Sequence, residues 1–268
     1  MTAQPRIGLG LLALLALLAI AGPFIAGDPD VQLNLLSGTL QPPSVAHPFG
    51  TDEYSRDVFA RLAHGARISL GVGLIAVAVA ATLGTLVGLW AGGSRGALGG
   101  LLRRVIDIGL AIPRIVVLLV LLSTIGHVPM WLFAVVLGAT GWPAMARLVR
   151  GETLRLRNTQ YVLAARALGA PEGRILWREI LPGALPPLLI AATLGVADAM
   201  LLEAGLSFLG LGAAPPAASW GGMLLESRSV MAVAPWMVLA PGAALVAATS
   251  AATLLGDALR RRLQPDAK

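Results

Sequence analysis

The chain lacks cysteine altogether and has a single lysine, Lys268, among its 268 residues. The first absence excludes disulfides, thiol nucleophiles and iron–sulfur clusters. The second excludes a P-loop, which needs a lysine directly after a glycine-rich turn, because Lys268 lies in the C-terminal tail. Charge is scarce as well: charged residues make up 13% of the chain, where a soluble domain has about a quarter. His47, His64 and His127 are scattered, with no His-Glu-x-x-His helix or metal-ligand spacing, and no Gly-x-Ser-x-Gly elbow occurs. A membrane-embedded hydrolase or metalloprotease would therefore lack its catalytic constellation. Neither a cofactor nor a metal is expected on this chain.

What is present is apolar. Hydrophobic residues make up 56% of the chain, and the mean hydropathy is +0.79. A soluble all-helical protein would need a polar outer face on every helix, and several windows have none. The expected fold is an all-α, polytopic integral membrane bundle. Six stretches reach the ~20 residues that cross a bilayer: Ile7–Ala26, Ile68–Trp90, Leu101–Ile125, Met130–Val149, Leu185–Gly210 and Pro235–Leu259. Gly126–Pro129 leaves only a short turn between the third and fourth. Gly71, Gly73, Gly84, Gly88 and the alanines of Ala76–Ala81 suit close helix packing in lipid. The first span resembles a signal peptide, with Arg6 before its apolar run. Its length and the lack of a clean small-x-small site before Asp28 favour an uncleaved anchor. The expected organisation is a first span with its outer loop over residues 1–66, then a core over 67–268 interrupted by a polar loop at about 150–184.

Arginine and lysine set orientation. With the N-terminus inside, fifteen of them fall on inside segments: Arg6, Arg95, Arg103, Arg104, the seven arginines from Arg147 to Arg178, Arg260, Arg261, Arg262 and Lys268. Arg56, Arg61, Arg67 and Arg228 fall outside, and Arg114 lies within a span. This asymmetry puts both termini in the cytoplasm. It also assigns the net charge of +6 to cytoplasmic loops rather than to nucleic acid.

The polar loop holds YVLAARALGAPEGRILWREILP, from Tyr161 to Pro182. Tyr161, Ala164, Ala165 and Leu168 are spaced i, i+3, i+4, i+7 and share one helical face, with Arg166 pointing elsewhere. Gly169 is expected as a left-handed cap, and Pro171 blocks continuation. A second short helix with Ile175, Leu176 and Ile180 is expected to end at Pro182. Spacing leaves two readings open. The small apolar face docks into a groove on another protein, or the helix pair lies on lipid headgroups with its arginines facing anionic lipid.

Leu163-Ala164-Ala165-x3-Gly169-x10-Ile180-Leu181-Pro182 resembles the Glu-Ala-Ala…Gly…Ile-Leu-Pro pattern of the permease subunits of binding-protein-dependent ABC importers. HPFGTDEYSRDVFARLAHGARISLGVGL (His47–Leu74) and EAGLSFLGLGAAPPAASWGGML (Glu203–Leu224) are similar to the dipeptide, oligopeptide and nickel permeases. The three motifs occur in order, and the resemblance covers nearly the whole chain. It implies a subunit of a prokaryotic plasma (inner) membrane that forms half a pore, with a related but non-identical permease forming the other half. It further implies two cytoplasmic ATPases that use the ATP, and an extracytoplasmic solute-binding protein that delivers peptide or nickel. The loop becomes a coupling element carried by Tyr161, Leu163, Ala164, Ala165, Arg166, Leu168, Gly169, Ile180 and Pro182. One departure stands out: the family's Glu is Leu163 here, so the electrostatics of that contact differ.

In the outer loop, Thr51 is expected to cap a helix with Asp52 and Glu53 in its first turn, where acids complement the dipole. Asp57 and Arg61 are spaced as an i, i+4 surface pair of about 0.3–0.5 kcal/mol. Solvated helix charges are the plain account. The resemblance adds a binding-protein platform at Asp52, Glu53, Arg56 and Asp57. Within the spans, an ionisable group costs about 2.5–3.5 kcal/mol at a helix centre. Asp107 follows Arg103 and Arg104, and Asp257 precedes Arg260 and Arg261, so edge ion pairs explain both. Arg114, Asp198 and Glu203 are candidates to line a pathway or to make polar contacts between helices; Asp198 and Glu203 cannot share one face closely. Pro113 and Pro143 are candidate kinks. An ion-gradient-driven carrier using Asp198 and Glu203 is the alternative function, and it leaves the polar loop unexplained.

Overall fold

A computed structural model describes residues 3–32, 37–94, 96–126, 128–212 and 217–263; Arg95, His127 and Lys268 lie outside these. The described residues form a helical bundle. Its elements are α1 (Ala3–Ala26), α2 (Val58–Gly93), α3 (Ala97–Ala111), α4 (Arg114–Ile125), α5 (Met130–Leu156), α6 (Gln160–Ala167), α7 (Glu172–Arg174), a π-helical turn (Ile175–Ile180), α8 (Leu181–Phe208), α9 (Trp220–Ser227) and α10 (Trp236–Leu263). Five helices are long and apolar enough to cross a membrane, and a sixth crossing arises if α3 and α4 count as one.

The third expected span is broken. Pro113 bars Ile112 from helical geometry, and Ile112 sits at φ −94°, ψ 129°. The axes of α3 and α4 consequently diverge by 80°. The fifth span departs in the other direction. Pro182 does not end a short helix but lies in the first turn of α8, where its missing N–H is tolerated. The chain runs as one helical rod from Glu172 to Phe208. The π turn joins the two parts, with Leu181 N–H donating to Leu176 O.

α2 is the central pillar. At about 1.5 Å per residue its 36 residues reach roughly 54 Å, well beyond a bilayer's hydrocarbon core. It starts at Val58, before the expected Ile68, and so runs across the 66/67 division. Its most extensive contact is with α5. Gly84, Gly88 and Gly92 form a stripe facing Met145, Ala146, Val149 and Thr153. A Cβ on Gly88 would lie 2.7 Å from Ala146 O, so the two backbones touch.

α1 packs on α10 and α2. Pro23 leaves Ala19 O without its helical donor, and Arg67 Nε donates to it at 2.6 Å, while Arg67 Nη2 reaches Ile20 O at 3.0 Å. Leu9, Leu14, Leu17, Ile20 and Phe24 stay exposed, as lipid-facing side chains do. One apolar core joins α1, α2, α8, α9 and α10. A second joins α2, α4, α5 and α8, and a third roots the polar loop between α2, α5 and α8.

Candidate functional site

Three places gather the residues singled out in the sequence. The first is the elbow from α6 to α7. Leu168 ends α6, and Gly169 follows at φ +80°. Gly169 N–H donates to Arg166 O at 3.0 Å, and Ala170 N–H donates to Ala165 O at 3.1 Å. These two bonds form a Schellman cap, as expected for glycine at this position. Val162, Ile175, Leu176 and Ile180 are buried against Leu89, Val149 and Leu156 and fasten the elbow to the bundle. Arg157 Nη1 adds a bond to Gly92 O at 3.1 Å. Tyr161, Leu163, Ala164, Leu168 and Gly169 remain exposed, Leu168 at 88%, and Ala165 is half-buried. Arg166, expected off the shared apolar face, has an acidic partner. Its Nε and Nη2 pair with Glu172 Oε1 and Oε2 at 2.9 and 3.2 Å. Glu172 was missed because six positions separate it from Arg166, and only the turn at Gly169 brings them together.

The second place is a cavity of 370 Å3 between α2, α4, α5 and α8. Arg114 Nη1 meets Asp198 Oδ2 there at 2.8 Å. Arg114 Nη2 also donates to Leu137 O at 2.7 Å, and its Nε to Thr140 Oγ1 at 3.3 Å. Ala76, Ala80, Gly141, Ala144, Met145, Leu194 and Gly195 supply apolar walls. Glu203 is not part of this cavity. It is fully buried, accepting from Ser69 Oγ at 3.3 Å and Ser207 Oγ at 2.7 Å. Ser69 Oγ in turn accepts from Trp220 N–H at 3.1 Å. Glu203 thus ties α8 to α2 and α9, the interhelical contact that was one of its two expected roles.

The third place is the opposite end of α2, and it corrects the expected local structure. Thr51 caps no helix, and Asp52 and Glu53 lie in no helical first turn. The cap of α2 is Asp57, whose Oδ1 accepts from Phe59 N–H at 2.7 Å and Ala60 N–H at 3.1 Å. Its Oδ2 pairs with His47 Nδ1 at 2.7 Å rather than with Arg61. Arg61 is buried instead, bonded to Asp52 Oδ2 at 3.1 Å and to Glu226. Arg56 joins the same cluster through Asp52 Oδ2 at 2.7 Å and Glu226 Oε2 at 3.1 Å. Glu226 lies 165 positions from Arg61, so no local spacing signalled it. Of the four residues considered as a platform, Asp52 and Arg56 are buried, while Glu53 and Asp57 are half-buried. Arg103 and Asp107 pair at 3.6 Å as expected.

Comparison with known proteins agrees with this architecture. The family model for the binding-protein-dependent transport system inner membrane component matches residues 84–268. A putative peptide permease protein of Brucella suis is 45% identical over 246 residues, covering 89% of this chain and 78% of that protein. A dipeptide transport system permease protein of Alkalihalophilus pseudofirmus is 39% identical over 262 residues, covering 98% and 86%. The inward-facing MetNI methionine ABC transporter shares the fold at a TM-score of 0.63 and 22% identity, over 76% of this chain and 96% of that one. With most of its length matched by the family model, and relatives at this identity over nearly all of it, the chain belongs to the binding-protein-dependent transport system inner membrane components.

Proposed function

We propose that this permease subunit supplies half of a translocation pore for short peptides, with a related, non-identical permease supplying the other half. Nickel is the alternative cargo suggested by the wider family resemblance. Peptide is favoured by the names of the relatives in Brucella and Alkalihalophilus. Two cytoplasmic ATPases use the ATP, one of them docking on this chain's α6–α7 elbow, so the chain itself carries no reaction chemistry. A binding protein delivers solute at the other end of α2, near Glu53 and the exposed Tyr54. The elbow and both termini face the cytoplasm of a prokaryotic inner membrane. ATPase closure pushes the elbow, and the bundle shifts between two accessible states.

The observation that carries this reading is the construction of the elbow. It presents apolar side chains outward, yet is rooted by Val162, Ile175 and Leu176 in the core shared by α2, α5 and α8. A helix pair resting on headgroups would bury its apolar side in lipid and would need no such anchorage. Because the rod from Glu172 to Phe208 is continuous, a push on the elbow moves α8 and the cavity wall at Asp198 with it. An ion-gradient carrier is disfavoured, because Arg114 already engages Asp198, and Glu203 belongs to a separate cluster.

Co-purification and uptake test this. Wild-type protein is expected to retain ATPase subunits, and Gly169→Pro is expected to release them or to uncouple hydrolysis from uptake. Uptake that persists unchanged in Gly169→Pro, or that proceeds without ATPase subunits, would overturn the proposal.

A further inference from the structure

We propose that Arg114 and Asp198 form a subsite for a short zwitterion, with Arg114 taking its carboxylate and Asp198 its ammonium group. The inference rests on the reading of the 370 Å3 cavity as part of the translocation route. Among the described residues, these two are the only charged side chains lining it. A membrane-embedded ionisable pair in an otherwise apolar chamber is a functional candidate by default.

The pair is asymmetric in a way that suits exchange. Besides Asp198, Arg114 has two further anchors, Leu137 O and Thr140 Oγ1, both on α5. Gly141 leaves room for its guanidinium: a Cβ there would lie 3.0 Å from Nη2. The Asp198 side chain is 63% exposed, and Arg114 is its one partner among the described residues. Arg114 also opens α4, where the helix dipole disfavours a cation, so local structure gives no reason for an arginine here. When the two side chains part, each charge loses its counterpart. A solute carrying only a cation leaves Arg114 unmatched, and one carrying only an anion leaves Asp198 unmatched. A zwitterion matches both, replacing one ion pair by two. Two extended residues span roughly 7 Å, and the cavity volume falls in the usual range of about 300–1,000 Å3 for small-molecule sites.

Because the chain has no cysteine, one introduced thiol is the single reactive thiol of this subunit, and its labelling is read on the separated subunit. Ala144 lines the cavity and is exposed. The experiment places Ala144→Cys in the transporter, purified with its partner subunits in nanodiscs without the binding protein, and follows its reaction with a small water-soluble thiol reagent. The probes are alanylalanine, its N-acetyl form and its C-terminal amide. Alanylalanine is expected to slow labelling and the two blocked forms are not. Asp198→Asn and Arg114→Gln are each expected to abolish that protection, with retained ATP hydrolysis by the complex showing that each variant has assembled. Equal protection by all three probes, or protection that survives both variants, overturns the zwitterion subsite while leaving the route intact. Labelling without protection by any probe also overturns the subsite. Failure of Ala144→Cys to label at all overturns the route, and the subsite with it.

Discussion

Gly84, Gly88 and Gly92 show what one missing side chain does in lipid. Apolarity alone does not bring helices together there, so contact depends on how closely backbones approach. Gly88→Val would force a Cβ into Ala146 O and Val149. We expect it to destabilise the α2–α5 pair by about 1–3 kcal/mol, the usual range for overpacking, read as a lower midpoint of detergent-induced unfolding. At the other end of α2, Asp52 is 1% exposed and holds two arginines. Asp52→Ala leaves Arg61 with Glu226 alone and removes the acceptor of the Tyr54 and Arg56 N–H groups, at a cost of about 1–3 kcal/mol. The same change should open residues 37–57 to protease, whereas Glu226→Gln should have a smaller effect because Glu226 is partly exposed. Gly84 and Gly88 were legible as small residues suited to close packing, while Gly92, the third of the stripe, was not singled out. The arginine cluster was not legible, because Asp57 and Arg61 offered a local pairing, and of Arg61's two actual partners, Asp52 and Glu226, the second lies far along the chain. Burial decided between them: Asp57 is taken up by the helix cap and His47, and Arg61 turns inward.

Elements obey their prolines in different ways. Pro113 breaks a span because the residue before it must be extended, while Pro182 sits in a first turn and breaks nothing. Pro113 was legible as a candidate kink in the third span, though not the full 80° break, whereas Pro182 was taken to end a short helix that in fact continues into α8. Gly169 was legible from the sequence because its role is local: a residue after an apolar-periodic helix, followed by proline. Its Cβ space is empty, so Gly169→Ala meets only the left-handed backbone penalty, about 1–2 kcal/mol. Proline can neither adopt that φ nor supply the N–H that bonds Arg166 O. We therefore expect uptake to survive Gly169→Ala and to fail in Gly169→Pro; equal failure in both would point to the glycine surface rather than the shape of the elbow. Pro113→Ala should relax the α3–α4 break and draw Arg114 away from Asp198, measurable as a change in reactivity of a thiol placed at Ala144.

At the scale of the whole molecule, the helical membrane bundle was legible from run length and scarcity of charge, since few other structures bury so much apolar sequence in lipid. The pairing of α4 with α8 through Arg114 and Asp198 was not legible, because nothing in the spacing of two residues 84 positions apart reports a tertiary contact. The central claim is mechanical: the elbow meets an ATPase, and one rigid rod carries the motion to the cavity wall. The most direct measurement is a crosslink from Ala165→Cys in the otherwise cysteine-free chain, in native membranes, with and without ATP. The account predicts crosslinking to the ATPase subunit, in a yield that changes with nucleotide. Crosslinks confined to lipid, or labelling of that thiol from the extracytoplasmic side, would contradict it.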